Sequence, residues 1–285
     1  MRQPFLAQTK RSKTINKSDA VPTQQGQFVG ANGLKMYYQE YGSGRPLILL
    51  HGGTVTSNMW QPFLPPFVPH FRVISPDSRG HGKTNNPNDV QLSYHLMADD
   101  ISDFIQALNL TKPLVFGYSD GGQIALEIGV RYPGLAGAIV LGATTDKLSE
   151  TSTAFFKALG FEKTGVVNIE QIKRDNPELI TLLQTEHVRA DDPDYWKTLL
   201  KQYSVLWWAP LDYTADDFHK ITEPTLILQN DRDEFVELEQ AVEMYRFIPN
   251  AELAILPNSK HSSPNSKLFT ETVLDFLLRQ VTASG

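Results

Sequence analysis

The chain contains no cysteine. Disulfides, thiolate metal sites and a cysteine nucleophile are therefore outside its chemistry. No apolar run approaches the ~20 residues that span a bilayer. There is no internal repeat, no long low-complexity linker, and no His-Glu-x-x-His or similar ligand cluster, so neither a metal nor another cofactor is expected. Positive charge is also scarce, with 26 Lys and Arg against 32 Asp and Glu and a formal net charge of -6. Five basic residues (Arg2, Lys10, Arg11, Lys13, Lys17) and one acid, Asp19, fall within residues 1–25, so the body carries -10. An acidic body argues against a nucleic-acid partner. The basic tail lacks an apolar h-region, so a secretory signal is not expected. Residues 1–25 are expected to be a disordered extension, and the protein to be cytoplasmic.

What is present is an ordinary globular composition, 41% hydrophobic and 20% charged over 285 residues, enough for one large domain or two small ones. "GQFVGANGLKMYYQEYG" predicts a hairpin around Asn32-Gly33. Short buried strands follow in "RPLILLHGG", "FRVISPDSRGHG", "KPLVFGYS" and "LAGAIVLGA". Helical spacing appears at Ile101, Phe104, Ile105 and Leu108, and again in "GGQIALEIGVRYP", which a proline ends. Short strands alternating with helices imply a parallel sheet covered on both faces. The alternation stops between 143 and 215, which is helical in pattern with no convincing strand, and resumes with "PTLILQN". The expected organisation is a core from 26–142 and 216–285, with 143–215 as a helical lid.

"GYSDGG" places Ser119 between glycines at the join of a strand and a helix, the pattern of a nucleophile elbow. Glycines suit the tight reversal, where a Cβ would clash. A serine hydroxyl needs a base and an orienting acid. Asp233 in "DRDEFV" and His261 in "PNSKHSSP" follow the next two strands, and the order Ser, Asp, His is the one such a sheet requires. The oxyanion donors would be backbone N–H groups, Asp120 and either Gly53 or Thr54 of "HGGT". Ser119 read as a simple helix N-cap, and Asp231 as the orienting acid, are the bland alternatives. His51 and His81 read as loop-packing residues; His70, His95, His187 and His219 read as surface or packing.

Together "LLHGG", "SPDSRGHGKT", "GYSDGG", "NDRDEFV" and the late histidine resemble the α/β-hydrolase superfamily over about residues 26–281. The resemblance implies an α/β-hydrolase fold, a mostly parallel sheet flanked by helices with a helical lid, and a serine hydrolase using Ser119, Asp233 and His261. Asp233-x-x-Val236 resembles the family pattern at the acid, and Asp146 matches the position some relatives use instead. Two departures stand out. Asn230 replaces a frequent glycine, where positive φ would be tolerated, and Lys260 precedes the histidine in place of a small residue.

Asp120 beside the nucleophile is unusual, since a carboxylate near an oxyanion opposes catalysis. One reading puts it on the first helical turn, pointing away from the reaction. The other has it face the pocket and pair with a substrate cation. The elbow is similar to that of valacyclovir hydrolase, a biphenyl-hydrolase-like enzyme, and this implies recognition of an α-amino group. Trp207 and Trp208, with Trp196, Tyr203 and Thr54, are candidates to line the substrate pocket. The expected partner is a small ester cleaved through an acyl-enzyme. Carbon–carbon bond hydrolysis, lactone opening, cofactor-free perhydrolysis and a small-ligand receptor remain open on the same residues.

Overall fold

The computed structural model describes residues 26–262 and 266–282; the basic tail lies outside them. The chain opens with strands β1 (Gln27–Ala31) and β2 (Leu34–Tyr41), paired antiparallel. Asn32 and Gly33 turn between them with φ of 45° and 72°, the left-handed pair a tight hairpin requires. β3 (Arg45–Leu50) and β4 (Phe71–Pro76) follow, then α1 (Tyr94–Ala107), β5 (Leu114–Tyr118), α2 (Asp120–Arg131) and β6 (Ala138–Gly142).

Between β6 and the next strand of the main sheet lies an insertion. It contains α3 (Glu150–Ala158), a small hairpin β7 (Phe161–Lys163) and β8 (Val166–Val167), then α4 (Ile169–Asp175), α5 (Pro177–Glu186), α6 (Tyr195–Trp207) and α7 (Ala215–His219). The hairpin corrects the expectation of no strand here. Its strands are only three and two residues long, too short for a period-2 pattern to show. The chain closes with β9 (Thr225–Asn230), α8 (Leu238–Phe247), β10 (Ala251–Leu256) and α9 (Ser266–Thr282).

The main sheet runs β1-β2-β4-β3-β5-β6-β9-β10. From β4 to β10 all neighbours are parallel, and β2 joins β4 antiparallel. Central strands β5, β6 and β9 are buried along their whole length, because helices cover both faces of a parallel sheet. Alternate residues of one strand feed opposite cores. Ile48 and Leu50 of β3 enter the core shared with α1 and α2, whereas Leu47 and Leu49 enter the one under α9. The fold is the α/β-hydrolase fold. Among the described residues no helix is long and apolar enough to cross a membrane, and no group of three His, Asp or Glu is placed to hold a metal ion.

Candidate active site

Ser119 sits between β5 and α2 with φ 56° and ψ -122°, a left-handed backbone that costs a non-glycine residue about 1–3 kcal/mol. Neighbouring glycines make room for it. A Cβ on Gly117 would fall onto the carbonyl oxygen of Gly121, and one on Gly121 onto that of Leu50. Ser119 holds the N-cap position yet makes no capping bond. Its Oγ is instead 2.9 Å from Nε2 of His261. The Asp120 N–H, first in the helix, has no intrahelical acceptor and faces the positive end of the dipole.

The His261 ring is held from its other side. Its Nδ1 lies 3.0 and 2.9 Å from the two oxygens of Asp233. Asp233 Oδ1 also accepts the N–H groups of Phe235 (3.0 Å) and Val236 (2.9 Å), and Oδ2 accepts Asn230 Nδ2 at 3.1 Å. Burial alone would raise the Asp233 carboxyl, but the His261 charge and these bonds hold it below its ordinary value. Burial depresses His261, yet Asp233 outweighs it and the imidazole ends above its ordinary value. Phe235 packs edge-on against the His261 ring at 5.1 Å.

Of the alternative acids, Asp231 accepts the Ser259 N–H at 3.0 Å, on the loop rather than at the imidazole. Asp146 is buried, and its nearest cation is Lys147 at 4.0 Å. Asn230 departs from its expected role. It does not adopt positive φ; its side chain bridges Asp233 to the Tyr118 hydroxyl at 3.0 Å. Lys260 is exposed.

Asp120 does not point away. It is 6% exposed and lines the cavity beside Ser119. Tyr94 Oη (2.6 Å) and Trp207 Nε1 (2.8 Å) donate to Oδ1, and the Gly53 N–H donates to Oδ2 at 2.9 Å. Burial raises the carboxyl above its ordinary value, and these three donors offset part of the rise. The Gly53 amide, expected to be free for an oxyanion, is thus taken by Asp120. The adjacent Thr54 has φ 61° and also lines the cavity.

A cavity opens beside Ser119 and His261. Its apolar lining comes largely from the insertion, with Phe155, Phe156, Leu159, Phe161, Leu179 and Trp207. Trp207 stacks on Phe156 at 5.2 Å with an 8° interplanar angle. Trp208 does not line the cavity, a correction to its expected place. Its indole donates to the Phe161 carbonyl at 3.3 Å, while Lys157 lies over its ring. The next residue on a helix points about 100° away, so only one of the pair can face inward. Trp196 and Tyr203 are buried packing residues of α6. The family model for "Alpha/beta hydrolase family" matches residues 47–267.

The chain belongs to the alpha/beta hydrolase family.

Relatives of this hydrolase include the 2-hydroxy-6-oxo-6-(2'-aminophenyl)hexa-2,4-dienoic acid hydrolase of Metapseudomonas resinovorans. It is 26% identical, over 95% of this chain and 96% of that one. A non-heme chloroperoxidase of Kitasatospora aureofaciens is 27% identical over 86% and 97%. Among solved structures, a meta-cleavage product hydrolase from Pseudomonas fluorescens superposes with a TM-score of 0.74 at 22% identity, covering 89% of this chain and 98% of that one; it shares the fold.

Several site residues of this hydrolase carry no sequence signal. Tyr94 reads as an ordinary first-turn residue, and Phe155 and Phe156 as an apolar pair on a short helix. His187, expected to be surface or packing, is buried. Its Nε2 donates to the Thr54 carbonyl and its Nδ1 accepts the Gly82 N–H, both at 3.0 Å. It thereby ties the insertion to two loops around the site. His51 joins those loops, donating through Nδ1 to the Gly52 carbonyl (2.7 Å) and accepting the Ser78 N–H at Nε2 (2.9 Å).

Proposed function

We propose that this hydrolase is a serine enzyme that cleaves small esters with an apolar acyl group through an acyl-enzyme. The observation that carries the reading is the continuous hydrogen-bonded chain Asp233–His261–Ser119, which ends in a cavity with a largely apolar lining. His261 Nε2 takes the Ser119 proton as Oγ attacks the carbonyl carbon. Asp233 fixes the tautomer and stabilises the imidazolium. The Asp120 N–H receives the oxyanion at the α2 N-terminus, and the Gly53 N–H is the second donor once it is released. His261 returns the proton to the departing alkoxide. It then deprotonates a water that attacks the acyl carbon, and Oγ leaves with its proton restored. No step calls for a cofactor. Segment 143–215 acts as the lid, since it supplies most of the apolar wall.

The cavity's chemistry weighs against an acidic substrate such as the dienoic acid in the name of the Metapseudomonas relative. Apart from the Tyr94 phenol, the ionisable side chains among the described lining residues are Asp120 and His261. No Lys or Arg among them would receive a substrate carboxylate, and Asp120 would repel one.

The test is turnover of a panel of 4-nitrophenyl and methyl esters by the wild type and Ser119→Ala, with fluorophosphonate labelling of the nucleophile. Turnover and labelling that both vanish in the folded variant are expected. Undiminished activity in Ser119→Ala would sink the reading.

A further inference from the structure

The Asp120 carboxylate is held by three elements at once. Tyr94 opens α1, Trp207 closes α6, and Gly53 lies in the loop after β3. An indole and a main-chain amide can only donate, so the arrangement suits an ionised acceptor. Gly53 and Asp120 are built against each other. A Cβ on Gly53 would strike the Asp120 carboxylate and come within 2.8 Å of the Tyr203 ring.

This contact conflicts with catalysis. An oxyanion on the Asp120 N–H would compete with Oδ2 for the Gly53 N–H. It would also set a second negative charge beside the first in a site shielded from water, where like charges repel strongly. A neutral ester offers the carboxylate nothing in exchange. A protonated amine next to the scissile carbonyl offers it a charge-assisted partner and cancels its charge.

Building on the serine-hydrolase reading, we infer that Asp120 is a substrate-operated gate on the oxyanion site. In the resting enzyme its carboxylate occupies the Gly53 N–H. A substrate ammonium group draws the carboxylate off, and the freed amide then stabilises the oxyanion. Selectivity comes from assembling the donor pair only for substrates that carry the cation, in addition to any attraction in the ground state.

The experiment measures kcat and KM separately for phenylalanine methyl ester and for methyl 3-phenylpropanoate, its des-amino analogue, with wild type and Asp120→Asn, at a pH where the amine is charged. The amide of Asp120→Asn can still accept from Tyr94 and Trp207 through its oxygen but cannot accept from Gly53 through its nitrogen. The gate predicts that kcat for the amino ester falls. For the des-amino ester it predicts a rise of about tenfold or more, toward the ~10²–10³ that one oxyanion donor is worth. Simple ion-pair recognition predicts the same fall with no rise, and that result overturns the gate. So does a wild type indifferent to the amine, or a variant that speeds both esters alike. Asp120→Ala, which removes the carboxylate altogether, must show the same crossing if Asp120→Asn does not fold. Fluorophosphonate titration separates these outcomes from failure of the underlying reading: a wild type that neither turns over an ester nor labels at Ser119 overturns both.

Discussion

The Tyr118 hydroxyl donates to the main-chain carbonyl of His261 across 2.8 Å and accepts from Asn230 Nδ2 at 3.0 Å. Tyr118 is the residue before Ser119, and Asn230 also reaches Asp233. One phenol on β5 therefore connects the loops that carry Ser119, His261 and Asp233.

Tyr118→Phe removes both bonds while keeping the ring that packs on His261 at 5.7 Å. It leaves a buried carbonyl and a buried amide each short of a partner, so stability should fall by about 1–3 kcal/mol. As a positioning residue Tyr118 acts through His261, so kcat should drop about tenfold with KM little changed. Steady-state kinetics beside urea unfolding check both. A stability loss with kcat intact would leave the phenol a packing role alone.

The pH profile of kcat/KM reports the base. In the proposed serine-hydrolase mechanism His261 must be neutral to accept the Ser119 proton, and its imidazole is held above the ordinary value mainly by Asp233 acting against burial. Activity should therefore climb with pH along a limb centred above the usual histidine value. Asp233→Asn removes the charge, so the limb should move to lower pH while the plateau falls on the order of 10⁴-fold. A limb that does not move in this variant would exclude Asp233 as the group that tunes His261.

His187 links acid sensitivity to the insertion. Burial, chiefly, lowers its folded-state value to about 4 from 6.5, with the Thr54 carbonyl offsetting part of the drop, and protonation of Nδ1 would break the bond from the Gly82 N–H. A depressed histidine favours folding above its unfolded value and loses that contribution as pH falls from 6.5 through 4. The loss amounts to about 3 kcal/mol. Chemical denaturation at pH 7 and pH 4.5 should show it. His187→Gln, whose amide can both donate and accept but does not titrate, should flatten the dependence.

Asp146 has the opposite sign. Its buried carboxyl is raised to about 6, chiefly by burial, with Lys147 offsetting and Glu243 adding to the rise. Its Oδ1 has no hydrogen-bond partner. A raised acid contributes stability that is complete below the unfolded value of 3.8 and lost as pH rises through 6. Asp146→Asn should therefore stabilise the protein at pH 8 by roughly 2 kcal/mol and change little at pH 4. Unfolding curves at those two pH values decide it, and equal effects at both would exclude titration of Asp146 as the cause.

The fold was legible in the sequence because its signals are local. Buried runs such as "PLILL" and "LVFGY", the Asn32-Gly33 turn and the elbow glycines each constrain the backbone within a few residues. The order of Ser119, Asp233 and His261 was legible too, since each follows a recognisable strand. The β7–β8 hairpin was not, being too short to carry a period.

Only the tertiary structure decided what surrounds that order. Asn230 acts through its side chain because Tyr118 and Asp233 converge on it, and no spacing in the chain announces that. Trp207 enters the cavity and Trp208 does not, because adjacent helical residues point in different directions once α6 is docked. Tyr94, Gly53 and Trp207 meet Asp120 from 26, 67 and 87 residues away. Sequence determines which groups exist and which backbone turns hold them. Long-range packing determines which donors a buried carboxylate finds, and so brings Tyr94, Trp207 and Gly53 to Asp120 beside Ser119.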